Sequence, residues 1–176
     1  MKRSDLEHVI RAAGAIADDR EIVVIGSQSV LGSFPEASGL LVRSIEADVY
    51  PRNHPERTDL VDGAIGEGSA FHELFGYYAQ GVDAQAATLP AGWRDRLIPV
   101  NNANTNGITG LCLEIHDLAI SKYVAGREKD REFTRELAKR RLTSAPTLLK
   151  RLERTGLSKE LHAVVKARIK RDFANR

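Results

Sequence analysis

The stretch EIVVIGS, residues 21–27, carries the strongest indication of the fold. Residues 21–25 are nearly all apolar and mostly β-branched, which predicts a buried strand. Gly26 and Ser27 end this strand, and a short helix is predicted from Ser29 to Phe34. A glycine there lets a ligand approach the backbone, and the N–H groups of the following helix can bind an anion. A strand–helix turn without a ligand explains the same residues, and a P-loop is excluded because no Gly-Lys-Ser/Thr follows.

The second predicted strand, Glu46–Tyr50, carries two acidic residues and stops at Pro51. Side chains two apart in a strand share a face, so the carboxylates of Glu46 and Asp48 lie side by side. They repel each other unless a cation lies between them, and Mg²⁺ prefers oxygen ligands. Two solvated acids on an exposed strand face are the alternative. Asp83 is a candidate third carboxylate, although acids at strand ends are also common turn residues.

The rest of the chain changes from mixed to helical. A capping box at Ser4–Glu7 predicts the first helix, with apolar residues recurring at helical spacing up to Ile16. Further on, the patterns predict a helix over 55–65, extended segments over 75–82, 97–100 and 108–115, and helices over 117–126, 128–141, 146–154 and 158–174. This order predicts an α/β or α+β domain over residues 1–135, with a basic helical extension over 136–176 packed on it.

Length and composition exclude several classes of protein. The chain has 176 residues, which fits one ordinary domain with a small helical appendage. Its single cysteine, Cys112, excludes an internal disulfide framework and a cysteine cluster for structural zinc. No apolar run approaches the roughly 18 residues that span a bilayer, and the first residues do not form a secretory signal. These features predict a cytoplasmic protein without a membrane partner.

Charge is distributed unevenly along the chain, although the formal net charge is only +2. Residues 1–121 hold 9 Lys/Arg and 17 Asp/Glu, whereas residues 122–176 hold 17 and 7. A chain that coordinates cations with its acidic first part and binds phosphates with its basic second part would show this pattern. The basic helices predict contact with RNA or with an acidic partner protein, and solvated helix faces are the alternative.

Lys122 is the only charged residue between Leu118 and Gly126. A lone lysine on a small, apolar arc of a helix costs free energy unless it has a partner. Either Lys122 is aimed at a phosphate, with Asp130 orienting it or holding the loop, or its stem packs while its tip reaches water.

Taken together, Ile25-Gly26-Ser27, Glu46-x-Asp48 and Lys122 with Asp130 resemble the minimal nucleotidyltransferase-like fold, which shares its core with polymerase β. The sequence looks most like bacterial domains of unknown function in that superfamily, and more distantly like the toxins of AbiE-type abortive-infection and toxin–antitoxin systems. The resemblance covers most of residues 20–135, and beyond Arg141 it extends only to helical character. It implies a mixed sheet flanked by helices, with a helical C-terminal portion.

The resemblance also implies a role for each residue of the motif. In the superfamily the Gly-Ser turn positions the nucleotide phosphates, which here means Gly26 and Ser27. The paired acids bind Mg²⁺, which gives Glu46 and Asp48 as the metal ligands. The later lysine and aspartate complete the site. They correspond to Lys122 and Asp130, and Arg127 is added as a nucleotide-binding residue.

Two departures from the superfamily pattern bear on activity. The first acid is Glu46 instead of the usual Asp, and the interval from Ser27 to Glu46 is longer than usual. The extra methylene of Glu moves its carboxylate outward, whereas Mg²⁺ requires tight geometry.

Three functions therefore stay open. The first is a Mg²⁺-dependent nucleotidyltransferase that uses a nucleoside triphosphate to modify an RNA, such as a tRNA end, or a protein hydroxyl, as a toxin–antitoxin component. The second is a catalytically weak member of the fold that acts as a partner-binding module. The third is a pure nucleic-acid-binding module, which leaves the paired acids unexplained.

Overall fold

The computed structural model describes residues 1–174 and confirms the predicted α/β class with a helical C-terminal region. The strands are β1 (Glu21–Val24), β2 (Glu46–Pro51), β3 (Tyr78–Gly81), β4 (Ile98–Val100) and β5 (Thr109–Cys112). The α-helices within these described residues are α1 (Arg3–Ala17), α2 (Val30–Ser33), α3 (Thr58–Ile65), α4 (Ala70–Phe75), α5 (Ile115–Ala125), α6 (Glu128–Lys139), α7 (Ala145–Leu152) and α8 (Lys159–Ala174).

The chain divides into two compact units. The first comprises residues 1–86 and 97–113 and contains α1–α4 with the whole sheet. The second comprises residues 87–96 and the chain from Glu114 onward, and contains α5–α8. The boundary predicted between residues 135 and 136 falls inside α6, within the second unit.

The sheet is mixed, with strand order β3-β2-β1-β5-β4. Strand β1 lies at the centre, antiparallel to β2 and parallel to β5, so that Val24 has Val49 and Cys112 as its neighbours. Strand β3 runs parallel to β2 at one edge, and β4 runs antiparallel to β5 at the other. The central place of β1 explains its continuous apolar sequence, because its side chains are buried on both faces of the sheet.

Helix α1 packs on the sheet through the apolar stripe that the sequence predicts. Its residues Leu6, Val9, Ile10 and Ala13 are fully buried. A Cβ atom at Gly110 of β5 would lie only 2.3 Å from Cδ1 of Ile10, so this glycine lets α1 approach the strand closely.

Helix α1 begins at Arg3 with Lys2 as its N-cap, so the capping box predicted at Ser4–Glu7 is wrong, because Ser4 already lies in the first turn.

Other element boundaries also differ from the sequence prediction. Residues 70–75 form a helix, α4, which Ser69 begins by accepting a hydrogen bond from the N–H of His72. Gly76, with φ of 75°, ends it, and the predicted extended segment shortens to β3. The segment predicted to be extended up to Ile115 ends earlier, because Glu114 caps α5 by accepting from the N–H of His116.

The second unit has an apolar core and a buried ionic cluster around Asp117. Its helices bury Leu118 and Ile120 of α5, Leu137 of α6 and Ile169 of α8. The fully buried carboxylate of Asp117 contacts two guanidinium groups, with Arg96 Nε at 2.7 Å and Arg151 Nε at 3.1 Å. This cluster ties segment 87–96 to α5 and α7.

A buried carboxylate, Asp19, joins the start of β1 to the loop after β2. Its two oxygens accept hydrogen bonds from the backbone N–H groups of Glu21, Asn53 and His54 and from the Asn53 amide, at 2.7–3.1 Å. Burial of the carboxyl group opposes ionisation, but these hydrogen bonds outweigh it and hold the pKa of Asp19 below its usual value.

We expect Asp19→Asn to lower the free energy of unfolding by about 2–4 kcal/mol, because the amide NH₂ would face N–H donors. A carboxyl group whose pKa is lower in the folded state contributes its stability above the unfolded-state pKa, and loses it as the pH falls through the folded-state pKa. The difference between parent and variant should therefore shrink below about pH 4. Urea unfolding of both proteins as a function of pH measures this difference in the free energy of unfolding.

The neighbouring Asp18 supplies the matched control. Its side chain is 96% exposed and its nearest cationic partner, Arg57, lies 3.7 Å away. Asp18→Asn should change the free energy of unfolding by no more than about 0.5 kcal/mol. Equal urea midpoints for the two variants at neutral pH would contradict the role given to Asp19.

Candidate active site

The turn after β1 is fixed by backbone hydrogen bonds on both sides of Gly26. The N–H of Ile25 donates to the carbonyl of Asp48 at 3.0 Å, and the N–H of Ser29 donates to the carbonyl of Gly26 at 3.0 Å. The buried Ser29 hydroxyl donates to the carbonyl of Val24 at 2.6 Å. The sequence prediction of a strand, a tight turn and a short helix is confirmed here.

Gly26 lies directly against the carboxylate of Asp48. A Cβ atom built on Gly26 would be 1.6 Å from Oδ2 of Asp48 and 2.6 Å from its Cγ, distances that no side chain tolerates. The backbone of Gly26 has φ of −80°, which any residue adopts, so the contact with Asp48 is what requires glycine. The two parts of the predicted motif therefore meet in the first unit.

Glu46 and Asp48 share one face of β2, while Ala47 and Val49 point to the other and are fully buried. Val49 has Gly81 as its neighbour on β3, and a Cβ atom at Gly81 would lie 2.8 Å from the backbone of α3. Helix α3 therefore packs on the Val49 side, and the two carboxylates lie on the opposite face.

Tyr78 on β3 contacts Glu46 and was not among the residues predicted from the sequence. The two are direct neighbours in the parallel β2–β3 pair, and the phenol O–H of Tyr78 donates to Oε2 of Glu46 at 3.2 Å. Burial, and after it the charge of Glu46, raises the pKa of Tyr78 to about 12. The phenol is therefore a hydrogen-bond donor at neutral pH.

The donor set at this face consists of two carboxylates. Among residues 1–174, no group of three or more His, Cys, Asp or Glu side chains is arranged to hold a metal ion. Asp83 is exposed, and its carboxylate accepts a hydrogen bond from the N–H of Gln85 at 2.7 Å. This is the usual contact of an aspartate in a turn, and it does not indicate a third metal ligand. A two-carboxylate set suits Mg²⁺, which usually keeps waters and substrate phosphates in its shell.

The long interval between Ser27 and Glu46 is folded and packed. It contains α2 and a 3₁₀ turn over Gly39–Val42. Leu31 and Leu41 in this interval are almost completely buried. The extra residues therefore do not prevent the turn and β2 from meeting.

Lys122, Arg127 and Asp130 lie together in the second unit. Asp130 is 1% exposed, and its carboxylate lies 3.5 Å from Nζ of Lys122 and 2.7 Å from Nε of Arg127. It also accepts from the backbone N–H of Arg127, which caps the start of α6. Asp130 is thus the partner that the lone Lys122 requires, and Lys122 remains only 14% exposed.

We expect Asp130→Asn to lower the free energy of unfolding by about 2–4 kcal/mol, because the largely buried Lys122 would lose its counter-charge. Urea unfolding measures this, with Glu128→Gln on the exposed first turn of the same helix as the control. The control should stay within about 0.5 kcal/mol of the parent. A fully stable Asp130→Asn variant would contradict the structural role.

A mixed sheet with a Gly-Ser turn against paired carboxylates is the arrangement that defines a nucleotidyltransferase-like domain. Residues 4–173 match the family described as "Nucleotidyltransferase of unknown function (DUF6036)", and the chain belongs to that family. A search of curated proteins and a search of solved structures found no match. The relation to AbiE-type toxins stays a prediction. Within the described part of the chain, no helix is long and apolar enough to cross a membrane.

Proposed function

We propose that this protein is a Mg²⁺-dependent nucleotidyltransferase that transfers a nucleotide from a nucleoside triphosphate to a hydroxyl group of an RNA or a protein. The observation that carries the proposal is the contact of Gly26 with the carboxylate of Asp48. This contact joins the predicted phosphate-binding turn to the predicted metal ligands. Membership of a nucleotidyltransferase family supports a nucleotide as the substrate.

Glu46 and Asp48 would hold Mg²⁺, which when bound neutralises charge on the triphosphate and favours in-line attack. Gly26 leaves room for the carboxylate of Asp48 beside the turn, and the Ser27 hydroxyl can donate to a phosphate oxygen. The acceptor oxygen bonds to the α-phosphorus, pyrophosphate leaves, and a carboxylate of the pair takes the hydroxyl proton. The resemblance implies phosphate-binding roles for Lys122 and Arg127 and an orienting role for Asp130, and these three residues lie in the second unit.

The charge of the C-terminal helices favours RNA as the acceptor. Arg131, Arg135 and Lys139 are exposed and follow one another at four-residue spacing on α6. Residues at this spacing share a helix face, and Glu128, Glu132 and Glu136 of the same helix offset part of their charge. A row of cations of this kind suits the phosphate backbone of RNA.

The test is transfer of label from α-labelled nucleoside triphosphates to cellular RNA or protein. The proposal expects labelling that requires Mg²⁺, stops on chelation and is lost in Asp48→Asn. If none of the four triphosphates gives labelling that depends on Asp48, the proposed activity is wrong.

The presence of Glu46 where the superfamily usually has Asp favours a second candidate, a catalytically weak protein that binds a partner as half of a toxin–antitoxin-like pair. A thermal-shift measurement separates the two. Stabilisation by nucleotide that requires Mg²⁺ and Asp48 supports the enzyme, whereas stabilisation only by a co-purified protein supports the binding module.

A further inference from the structure

The contact between Tyr78 and Glu46 is not part of the motif that defines the site. Tyr78 is 6% exposed, and its O–H donates to Oε2 of Glu46. No hydrogen bond to the other oxygen, Oε1, is found within residues 1–174. One carboxylate oxygen of Glu46 is therefore held by the protein, and the second is available to a cation.

We propose that Tyr78 is a positioning residue that holds the Glu46 carboxylate in place as a metal ligand. This inference rests on the proposed function. It gives a physical reason why Glu can replace the usual Asp, since the longer side chain reaches Tyr78 on the neighbouring strand.

A glutamate side chain is more flexible than that of aspartate. It has one more rotatable bond, and its carboxylate is correspondingly less fixed. Mg²⁺ tolerates little departure from ideal octahedral geometry. A hydrogen bond from the buried phenol of Tyr78 restricts that freedom, as partners behind metal ligands commonly do.

The ring of Tyr78 is itself held from two directions. Strand pairing sets it opposite Glu46, and the N–H of Tyr78 donates to the carbonyl of Ile45 at 3.0 Å. The ring of His72 on α4 packs against it, with 4.7 Å between the ring centroids. The Nδ1 atom of His72 in turn lies 3.1 Å from the N–H of Gly68, which donates to it. The short helix α4 thereby helps to fix the group that holds Glu46.

The test is Mn²⁺ affinity, measured by electron paramagnetic resonance with a non-hydrolysable nucleoside triphosphate present. Tyr78→Phe removes only the phenol oxygen and should weaken Mn²⁺ binding about 10-fold. Tyr77→Phe is the matched control, because the Tyr77 hydroxyl lies 2.8 Å from Nδ1 of His8. It also loses one phenol hydrogen bond, and its Mn²⁺ affinity should equal that of the parent. Circular dichroism verifies that both variants are folded.

A second pair of variants uses the length of the side chain at position 46. Glu46→Asp draws the carboxylate away from Tyr78, so adding Tyr78→Phe to it should not weaken Mn²⁺ binding further. The inference is overturned if Tyr78→Phe binds Mn²⁺ as tightly as Tyr77→Phe, or if its effect is equally large in the Glu46→Asp background. In either case, a loss of Mn²⁺ binding in Asp48→Asn would still support the proposed function. A parent protein that binds no Mn²⁺ would overturn both.

Discussion

Asp48→Asn is expected to lower the rate of nucleotide transfer by about 1,000-fold or more, while the chain stays folded. Asparagine keeps the shape of aspartate but carries no charge, so it is a poor ligand for Mg²⁺ and a poor acceptor for the proton of the attacking hydroxyl. Its free energy of unfolding should lie within about 1 kcal/mol of the parent value. Asp48 lies against the turn at Gly26 and beside Glu46 on the sheet, so the loss should appear with every nucleotide that the protein uses.

The measurement is kcat/KM for transfer, paired with urea unfolding of the same preparation. Asp59→Asn is the matched control, since Asp59 is an exposed acid in the first turn of α3. The control should retain the parent kcat/KM. A transfer rate in Asp48→Asn that stays close to that of Asp59→Asn would remove Asp48 from the chemistry.

Gly26→Ala is expected to lower kcat/KM by about 100-fold or more, although it adds a single methyl group. The new Cβ atom would lie 1.6 Å from Oδ2 of Asp48, so the carboxylate must move away from its present position. Alanine can adopt the backbone conformation of Gly26, because the φ angle there is −80°. The loss therefore reports on the position of Asp48 rather than on strain in the turn.

Gly63→Ala on α3 is the control for the addition of a methyl group. A Cβ atom at Gly63 would meet nothing within 4 Å. Alanine in a helix is about 0.5–1 kcal/mol more favourable than glycine, so this variant should be more stable and equally active. If Gly26→Ala kept the kcat/KM of the parent, the close contact between Gly26 and Asp48 would have no part in catalysis.

The features that the sequence predicted well are those determined by local patterns. The alternation in residues 46–50 gave a strand with both acids on one face, because the period of a strand is a property of the segment itself. The helical character of the chain after His116 predicted helices close to α5–α8, and amphipathic spacing supported the last of them over 158–174.

The features that the sequence missed depend on contacts between distant segments. Tyr78 meets Glu46 only because β3 pairs with β2 in one register, and no local pattern reports that register. Helix α4 was not predicted, and its last residue, Phe75, was placed in the extended segment 75–82, since aromatic residues favour strands. Its rings Phe71 and Phe75 pack around His8 of α1 instead, a contact that the local sequence does not encode.

The burial of Asp130 is another feature that the sequence could not predict. The spacing of Asp130 from Lys122 and Arg127 fitted a member of the active site, and the structure gives it a buried ion pair with both cations. Residue spacing does not report burial, so a group that contacts substrate and a group that supports another side chain look alike in the sequence. The stability and activity of Asp130→Asn, measured together, separate the two roles.

An anomalous-diffraction map from a crystal soaked with Mn²⁺ and a non-hydrolysable nucleoside triphosphate tests most directly whether Glu46 and Asp48 hold the metal. The paired carboxylates predict one manganese peak within about 2.5 Å of an oxygen of Glu46 and an oxygen of Asp48, with the triphosphate beside Gly26. A manganese peak elsewhere in the protein, or an ordered triphosphate bound away from these residues, would contradict the account.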